Sequence, residues 1–417
     1  MKSSRAAGVL LGLSCFCAGC ADVLGLEFDD KRLARTKLQI LNDPALPDDH
    51  NYFGTSLDIS GDTLLVGCPA ARAYVAQRSD DATWLLKGQL VRPDTPVPRK
   101  LMGFGGSVAL QGEWAIVADW GHLTASISEP GEAFLFRRGA DGAFVNAGRR
   151  LEAGVGQNNA DRFGWDIAIH GNTAAVGAPG DTEHGPSTGA VYVYTLGGAA
   201  TWQLAEKLTL SGAQAGDEFG YAVALEGDTL VASAPGRSGP RGTHTGAALV
   251  FTRSGSFGAT EPQVLWPADQ FPSDYKMQSL SLSGDRLIAG APLALGGRGV
   301  AYIYERSGDT WDATPAVFPR SEDRLSLADK SNFGTSVAIA ADLAVIGARD
   351  PENRGSAYVY RRAAGAQGSR WSLLERFNSD LAEAFGLDVQ VQGRTVLIGA
   401  PYKKPAGNLY VFDLSAQ

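Results

Sequence analysis

The amino-acid sequence predicts an all-β molecule, a ring of seven four-stranded units closed by its own N-terminal strand. Three observations carry that expectation. The stretch FGYAVALEGDTLVASAP at 219–235 recurs as FGWDIAIHGNTAAVGAP at 163–179 and FGTSVAIAADLAVIGAR at 333–349, with four further copies elsewhere. The chain holds 52 Gly but only 3 Met, a composition suited to many short strands joined by turns. The last copy also stops one strand short, while an unmatched strand stands in front of the first.

Six copies begin on Phe-Gly, at Phe53, Phe104, Phe163, Phe219, Phe333 and Phe385; a degenerate seventh has Lys276-Met277 in its place. Starts lie 51 to 59 residues apart, a period of propellers or solenoids. Eight positions after each start stands a turn residue: Gly61, Gly112, Gly171, Gly227, Gly284, Ala341 or Gly393.

Each unit carries four strand signals. The first is an alternating run such as Tyr221 to Leu225. A Gly-Asp, Gly-Asn or Gly-Glu hairpin turn leads to the second, such as Thr229 to Ala234. The third is an aromatic ladder, as in Tyr192-Val193-Tyr194 and Tyr358-Val359-Tyr360. The fourth opens on an aromatic: Trp84, Phe144, Trp202, Phe257, Trp311 or Trp371. The last unit ends at DLSAQ without a fourth strand, and Lys37-Leu38-Gln39-Ile40 resembles the fourth strand Lys207-Leu208-Thr209-Leu210. Pairing that N-terminal strand with the last unit removes the open sheet edge. A solenoid would instead need polar capping repeats, and none is visible. The expectation is therefore a seven-bladed β-propeller over residues 37–417.

Phe-Gly at the start of a unit and Gly-Ala-Pro at 177–179, 290–292 and 399–401 resemble FG-GAP repeats. These build the seven-bladed propeller of integrin α subunits and of many exported bacterial proteins. The resemblance speaks to fold; one fold hosts many functions. The glycine after Phe is expected to permit close approach near the ring axis, and the proline to end the second strand.

Integrin-type propellers carry longer calcium loops between the first two strands. The corresponding segments here, among them DISGDT, ALEGDT and SLSGDR, are too short and too poor in carboxylates for that. Asp62, Asp228 and Asp285 read as turn residues, and no metal or cofactor is expected. A second acidic set, Asp161, Asp217 and Glu383 with Asn51, precedes Phe-Gly; it would either ring the channel mouth or cap the loop between blades, and its recurrence favours capping. The five histidines have no metal-ligand spacing, and no nucleophile elbow or phosphate loop is present. No catalytic residue is assigned, although carboxylates assembled from separate blades stay open as an alternative.

The connections from second to third strand vary: WGHLTASISEPG at 120–131, GDTEHGPSTG at 180–189, GRSGPRGTHTG at 236–246 and RDPENRG at 349–355. Variable loops on a rigid frame are where binding usually sits. Trp120, His184, Arg237, Arg241, His244, Arg349 and Asp350 are the candidate ligand-face residues, each also readable as part of a solvated loop.

The N-terminus reads MKSSRAAGVLLGLSCFCAGC. Lys2 and Arg5 precede an apolar stretch too short to span a bilayer, and Cys17-Ala18-Gly19-Cys20 resembles the lipobox of bacterial lipoproteins. The resemblance implies a signal peptide over 1–19, a lipid-bearing Cys20 and a tether over 20–36; an ordinary secretory signal is the alternative. Ala21 in place of Asp points to the outer rather than the inner membrane. Loss of Lys2 and Arg5 takes the net charge from −8 to −10, which gives no attraction for nucleic acid. Cys68 remains alone in the mature chain and reads as a small buried apolar residue.

The function expected is a non-enzymatic, lipid-anchored propeller that binds an unknown protein or glycan through its loop face. A periplasmic scaffold of the envelope is the rival, and a polysaccharide-acting enzyme a distant third.

Overall fold

The computed structural model describes residues 37–42, 52–69, 72–93, 103–120, 131–153, 161–240, 242–267, 277–312, 315–319, 330–349, 355–363, 371–379, 384–402 and 407–414, with the backbone of short strands at 14–15, 26–28, 123–124 and 127–128. Cys20, Arg241, Asp350, Asn51 and Glu383 lie outside the described residues. The strands form seven antiparallel sheets arranged as the blades of a propeller. Their innermost strands are, in order, Leu57–Ser60, Phe104–Gln111, Ile167–His170, Val223–Glu226, Ser279–Ser283, Phe333–Ala340 and Val389–Gln392.

Closure follows the sequence expectation. In blade 7 the strands Val389–Gln392, Thr395–Ala400 and Asn408–Asp413 are completed by Lys37–Leu41, with Lys37 opposite Asp413 and Leu41 opposite Leu409. The outer edge of that blade also meets Ser14–Cys15, and Leu26–Phe28 pairs with Trp371–Ser379 in blade 6. These two short pairings fall in the stretches read as signal peptide and tether.

The core is divided among the seams. Among the described residues there are seven apolar clusters, each joining two neighbouring blades; that across blades 7 and 1 joins Leu397, Leu409 and Val411 to Phe53, Leu64 and Val66. The phenylalanine of each Phe-Gly pair is buried and lies against an aromatic of its own blade's third strand, as Phe53 on Tyr74 and Phe385 on Tyr410, both at 5.2 Å between ring centres. Such edge-on pairs favour the offset rings seen here. Cys68 is fully buried, as expected.

The glycines have a sharper reason than crowding near the axis. The Gly of Gly-Ala-Pro in one blade packs on the Phe-Gly glycine of the next. An added Cβ on Gly67, Gly177, Gly290, Gly347 or Gly399 would overlap the carbonyl oxygen of Gly105, Gly220, Gly334, Gly386 or Gly54 respectively. Both halves of the repeated sentence therefore belong to one contact between blades.

Two expectations about outer strands need correction. Phe257 does not open the fourth strand of blade 4; it lies in a short turn over Phe257–Ala259, and the strand is Gln263–Leu265. Glu206 accepts hydrogen bonds from the Phe257 and Gly258 amides (2.8 and 3.0 Å), and Pro262 delays pairing because it has no N–H to donate. In blade 5, Trp311 sits in a two-residue hairpin, Thr310–Trp311, and Ala316–Phe318 supplies the main fourth strand.

Candidate functional site

The innermost strands of all seven blades line a central channel of about 780 Å³. Residues alternate along each strand, so every second side chain addresses the seam and channel while its neighbours enter the core. The third position after each phenylalanine is Ser56, Ser107, Asp166, Ala222, Ser336 or Asp388, with Ser279 in the degenerate copy.

An innermost strand has one unpaired edge, and side chains from the preceding blade satisfy it. Asp388 accepts from the Leu57 amide at 2.7 Å, Asp58 from Leu110 at 2.6 Å and Asp166 from Val223 at 2.8 Å. Ser107 and Ser336 donate to Asp166 and Asp388 at 3.3 and 2.6 Å. Near the hairpin turns, Gln392 and Glu226 accept from the Gly61 and Gly284 amides of the next blade (3.0 and 2.6 Å). Three carboxylates thus lace blade 7 to 1, 1 to 2 and 3 to 4.

Each of the three keeps an edge on the open channel yet is enclosed by protein at longer range. Desolvation dominates and pushes Asp58 and Asp166 up to about 7 and Asp388 up to about 6, against the amide and hydroxyl donors that favour the ionised form. Among the described residues, no three His, Cys, Asp or Glu side chains are grouped to hold a metal ion.

The channel opens at the end where the second strands finish and the variable loops begin, lined there by Pro69, Pro292 and Tyr402. There Trp120 packs on Trp165 at 5.4 Å, and Trp165 on Tyr221 at 5.3 Å, an aromatic arc over blades 2 to 4. Arg162 lies 5.4 Å over the Trp165 ring and 3.8 Å from Glu218. Across the ring, Arg349 sits 5.5 Å over Tyr402, which also meets Tyr52 at 5.4 Å. The mouth therefore offers flat apolar rings above a floor of hydroxyls, amides and carboxylates.

The structure divides the residues singled out from the sequence. Trp120 and Arg349 line this mouth. His184, Arg237 and His244 belong instead to the rim over blades 3 and 4. His184 Nε2 contacts the Thr209 hydroxyl at 3.2 Å, Arg237 pairs with the buried Asp217 at 3.1 Å, and the His244 amide donates to Ser238 at 3.4 Å. Asp217 also accepts from the Gln214 amide at 3.0 Å, so it caps the loop between blades. Asp228 and Asp285 sit in hairpin turns paired with Arg253 and Arg306 at 3.4 and 2.9 Å.

Sequence reasoning missed Trp165, Tyr221 and the three carboxylates. A signal existed for each. Trp165 and Tyr221 occupy a position that is Thr55, Gly106, Gln278, Thr335 or Leu387 in other copies, and Asp58 one that is otherwise Ala, Ser or Gln.

Residues 150–194, 202–251 and 327–360 match the FG-GAP repeat family model. No curated protein matches the sequence. Among solved structures the chain is similar to U3-55K (11% identity, 90% of this chain and 98% of that one, TM-score 0.57). It is similar too to the WD40 repeats of RRP9 (10% identity, 93% and 99%, TM-score 0.58). A third is the β-propeller domain of Myceliophteria thermophila Cps50 (Swd1), at 14% identity over 90% and 100% with TM-score 0.54. Likeness at such identity speaks to the fold alone. The chain is a seven-bladed β-propeller in which three stretches match the FG-GAP repeat.

Proposed function

We propose that this chain is a non-enzymatic, lipid-anchored propeller of the cell envelope that holds a glycan at the mouth of its central channel. The observation that carries the reading is the aromatic arc Trp120–Trp165–Tyr221 above a polar channel floor. A sugar ring presents an apolar C–H face and hydroxyl edges. The arc suits the first, and Asp166, Ser107, Gln278 and Asn332 around it suit the second. The anchoring part of the reading rests on the N-terminal sequence and Cys20.

A glycan array probed with the full chain, followed by Trp165→Ala and Tyr221→Ala, tests the ligand. Both variants should lose about fivefold or more in affinity while remaining folded, since stacking contributes roughly 1 kcal/mol or more per ring. Wild-type binding that survives both substitutions would place the site elsewhere. A chain that captures only proteins would change the ligand class. Metabolic palmitate labelling lost in Cys20→Ser tests the anchor, and protease shaving of intact cells tests which side of the outer membrane the propeller occupies.

A further inference from the structure

On the face opposite the variable loops, the hairpin turns of blades 5 and 6 border an open pocket of about 480 Å³. Its polar lining is Arg286, Arg361, Arg362, Asp342 and Ser372. This seam departs from the repeat. Blades 1, 3, 4 and 7 open their second strand on threonine: Thr63, Thr173, Thr229 and Thr395. At three other seams such a threonine receives the arginine that ends the next blade's third strand, with Arg138 on Thr63 and Arg253 on Thr173 at 2.7 Å, and Arg306 on Thr229 at 3.3 Å. In blade 5 the position is Arg286, so Arg362 meets a second guanidinium where its counterparts meet a hydroxyl.

Among the described residues, the charges around the cavity do not balance. Glu305 Oε1 is shared by Arg286 and Arg362, at 3.6 and 3.3 Å from their Nε atoms. Neither Nε makes an aligned hydrogen bond there. Asp342 is shared by Arg361 at 3.1 Å and by Arg394, from blade 7, at 3.7 Å. Among the described residues four guanidiniums thus meet two carboxylates, in a chain whose net charge is −8. The Arg286 Nη1 donates to the Ala341 carbonyl at 3.0 Å, which fixes the orientation of its fork.

We propose that this pocket is an oxyanion site, taking a phosphate group among the arginines that line it, Arg286, Arg361 and Arg362. Planar guanidiniums match tetrahedral oxyanions through paired N–H donors, and an excess of two positive charges suits a group carrying nearly two negative ones. The phosphate can belong to a soluble ester or to a lipid headgroup; the chemistry of recognition is the same. This site is independent of the channel mouth and of the glycan reading.

The test titrates the full chain with inorganic phosphate by calorimetry, against chloride at equal ionic strength. Phosphate should bind and raise the unfolding temperature. Arg286→Thr, which installs the residue of blades 1, 3, 4 and 7 and so preserves the fold, should weaken binding tenfold or more, the loss expected for charge-assisted hydrogen bonds. Arg362→Lys, which keeps charge but removes the fork, should weaken it less. Arg137→Gln, at the remote hairpin turn of blade 2, should leave it unchanged. Co-sedimentation with phosphatidylcholine vesicles, with and without phosphatidic acid, then separates the sources. Binding to phosphatidic acid that disappears in Arg286→Thr assigns a headgroup; phosphate binding without vesicle binding assigns a soluble ester. Phosphate indistinguishable from chloride, or Arg286→Thr equal to wild type, would overturn the proposal.

Discussion

Five seams of the ring close glycine on glycine, whereas the seam from blade 4 to blade 5 has Ser233 facing a blade whose Phe-Gly has become Lys276-Met277. The difference shows which parts of the repeat are exchangeable. In blades 1 and 5 the serine three positions into the unit, Ser56 or Ser279, donates to the glycine carbonyl of the next blade at 2.9 or 3.0 Å, over a bare glycine in its own second strand. In blade 4 the hydroxyl has moved across the hairpin. Position 222 is alanine, Ser233 takes the glycine's place, and the Ser233 hydroxyl accepts from the Ala222 amide at 2.9 Å. Met277, fully buried at φ 64°, packs in the apolar cluster between blades 4 and 5. The seams that follow blades 1, 4 and 5 each hold one hydroxyl and one small residue, and either strand can supply either.

The most disruptive way to probe this is to add a methyl where two backbones touch. Gly177→Ala puts a Cβ into the Gly220 carbonyl, an atom that no side-chain rotation moves away. Denaturant unfolding should show a loss of about 3 kcal/mol, the upper part of the overpacking range. The reciprocal change at the blade 2–3 seam, Ala118→Gly, should cost only about 1 kcal/mol, because Ala118 is already accommodated 3.1 Å from where Gly164 would carry a Cβ. Equal costs would mean that the glycine contacts are incidental.

A milder probe exchanges the hydroxyl. Ser233→Gly strands the Ala222 amide and should cost about 1–2 kcal/mol. Adding Ala222→Ser rebuilds the arrangement of blades 1 and 5, and the double variant should recover roughly 1 kcal/mol of that loss. A double-mutant cycle on unfolding free energies reads the coupling; additive losses would sink the exchange idea.

The architecture was legible because a repeat states its constraints many times over. Seven copies fixed blade number, and the strand missing after Phe412 together with the spare one at Lys37 fixed closure. What stayed illegible were single departures from the repeat. Asp58 and Asp166 sit in runs whose alternation looks ordinary, and only the neighbouring blade, which is distant in sequence, reveals that their oxygens hold amides of Leu110 and Val223. Trp165 and Tyr221 were hidden in the same way, since the motif drew attention to the residues around them. Phe257 was misread because its spacing matched the other copies while Pro262 postponed the strand.

The three carboxylates separate laced seams from unlaced ones by pH. Their carboxyls titrate higher in the folded chain than in the unfolded one, so the native state holds more protons between pH 4 and 7. Their stabilising share is complete below the unfolded value and is lost as pH rises through about 6 to 7. Between pH 5 and 8, unfolding free energy should therefore fall more steeply for the wild type than for Asp166→Asn. Parallel curves would show that the channel keeps this carboxylate ionised.

The smallest effect comes from the hairpin turns, whose Cβ positions face solvent. Gly227 has φ 57° and no atom near its missing Cβ, so Gly227→Ala meets only the backbone cost of the left-handed region, about 1 kcal/mol. Blade 6 already bears that cost: Ala341 occupies the equivalent place at φ 50°. Ala341→Gly should accordingly stabilise the chain by several tenths of a kcal/mol, offset in part by the extra freedom glycine gives the unfolded chain. Its carbonyl still accepts from Arg286, so phosphate binding should be unchanged. A destabilised Ala341→Gly would mean that blade 6 uses the alanine methyl to shape the arginine pocket, and would tie that turn to the site beside it.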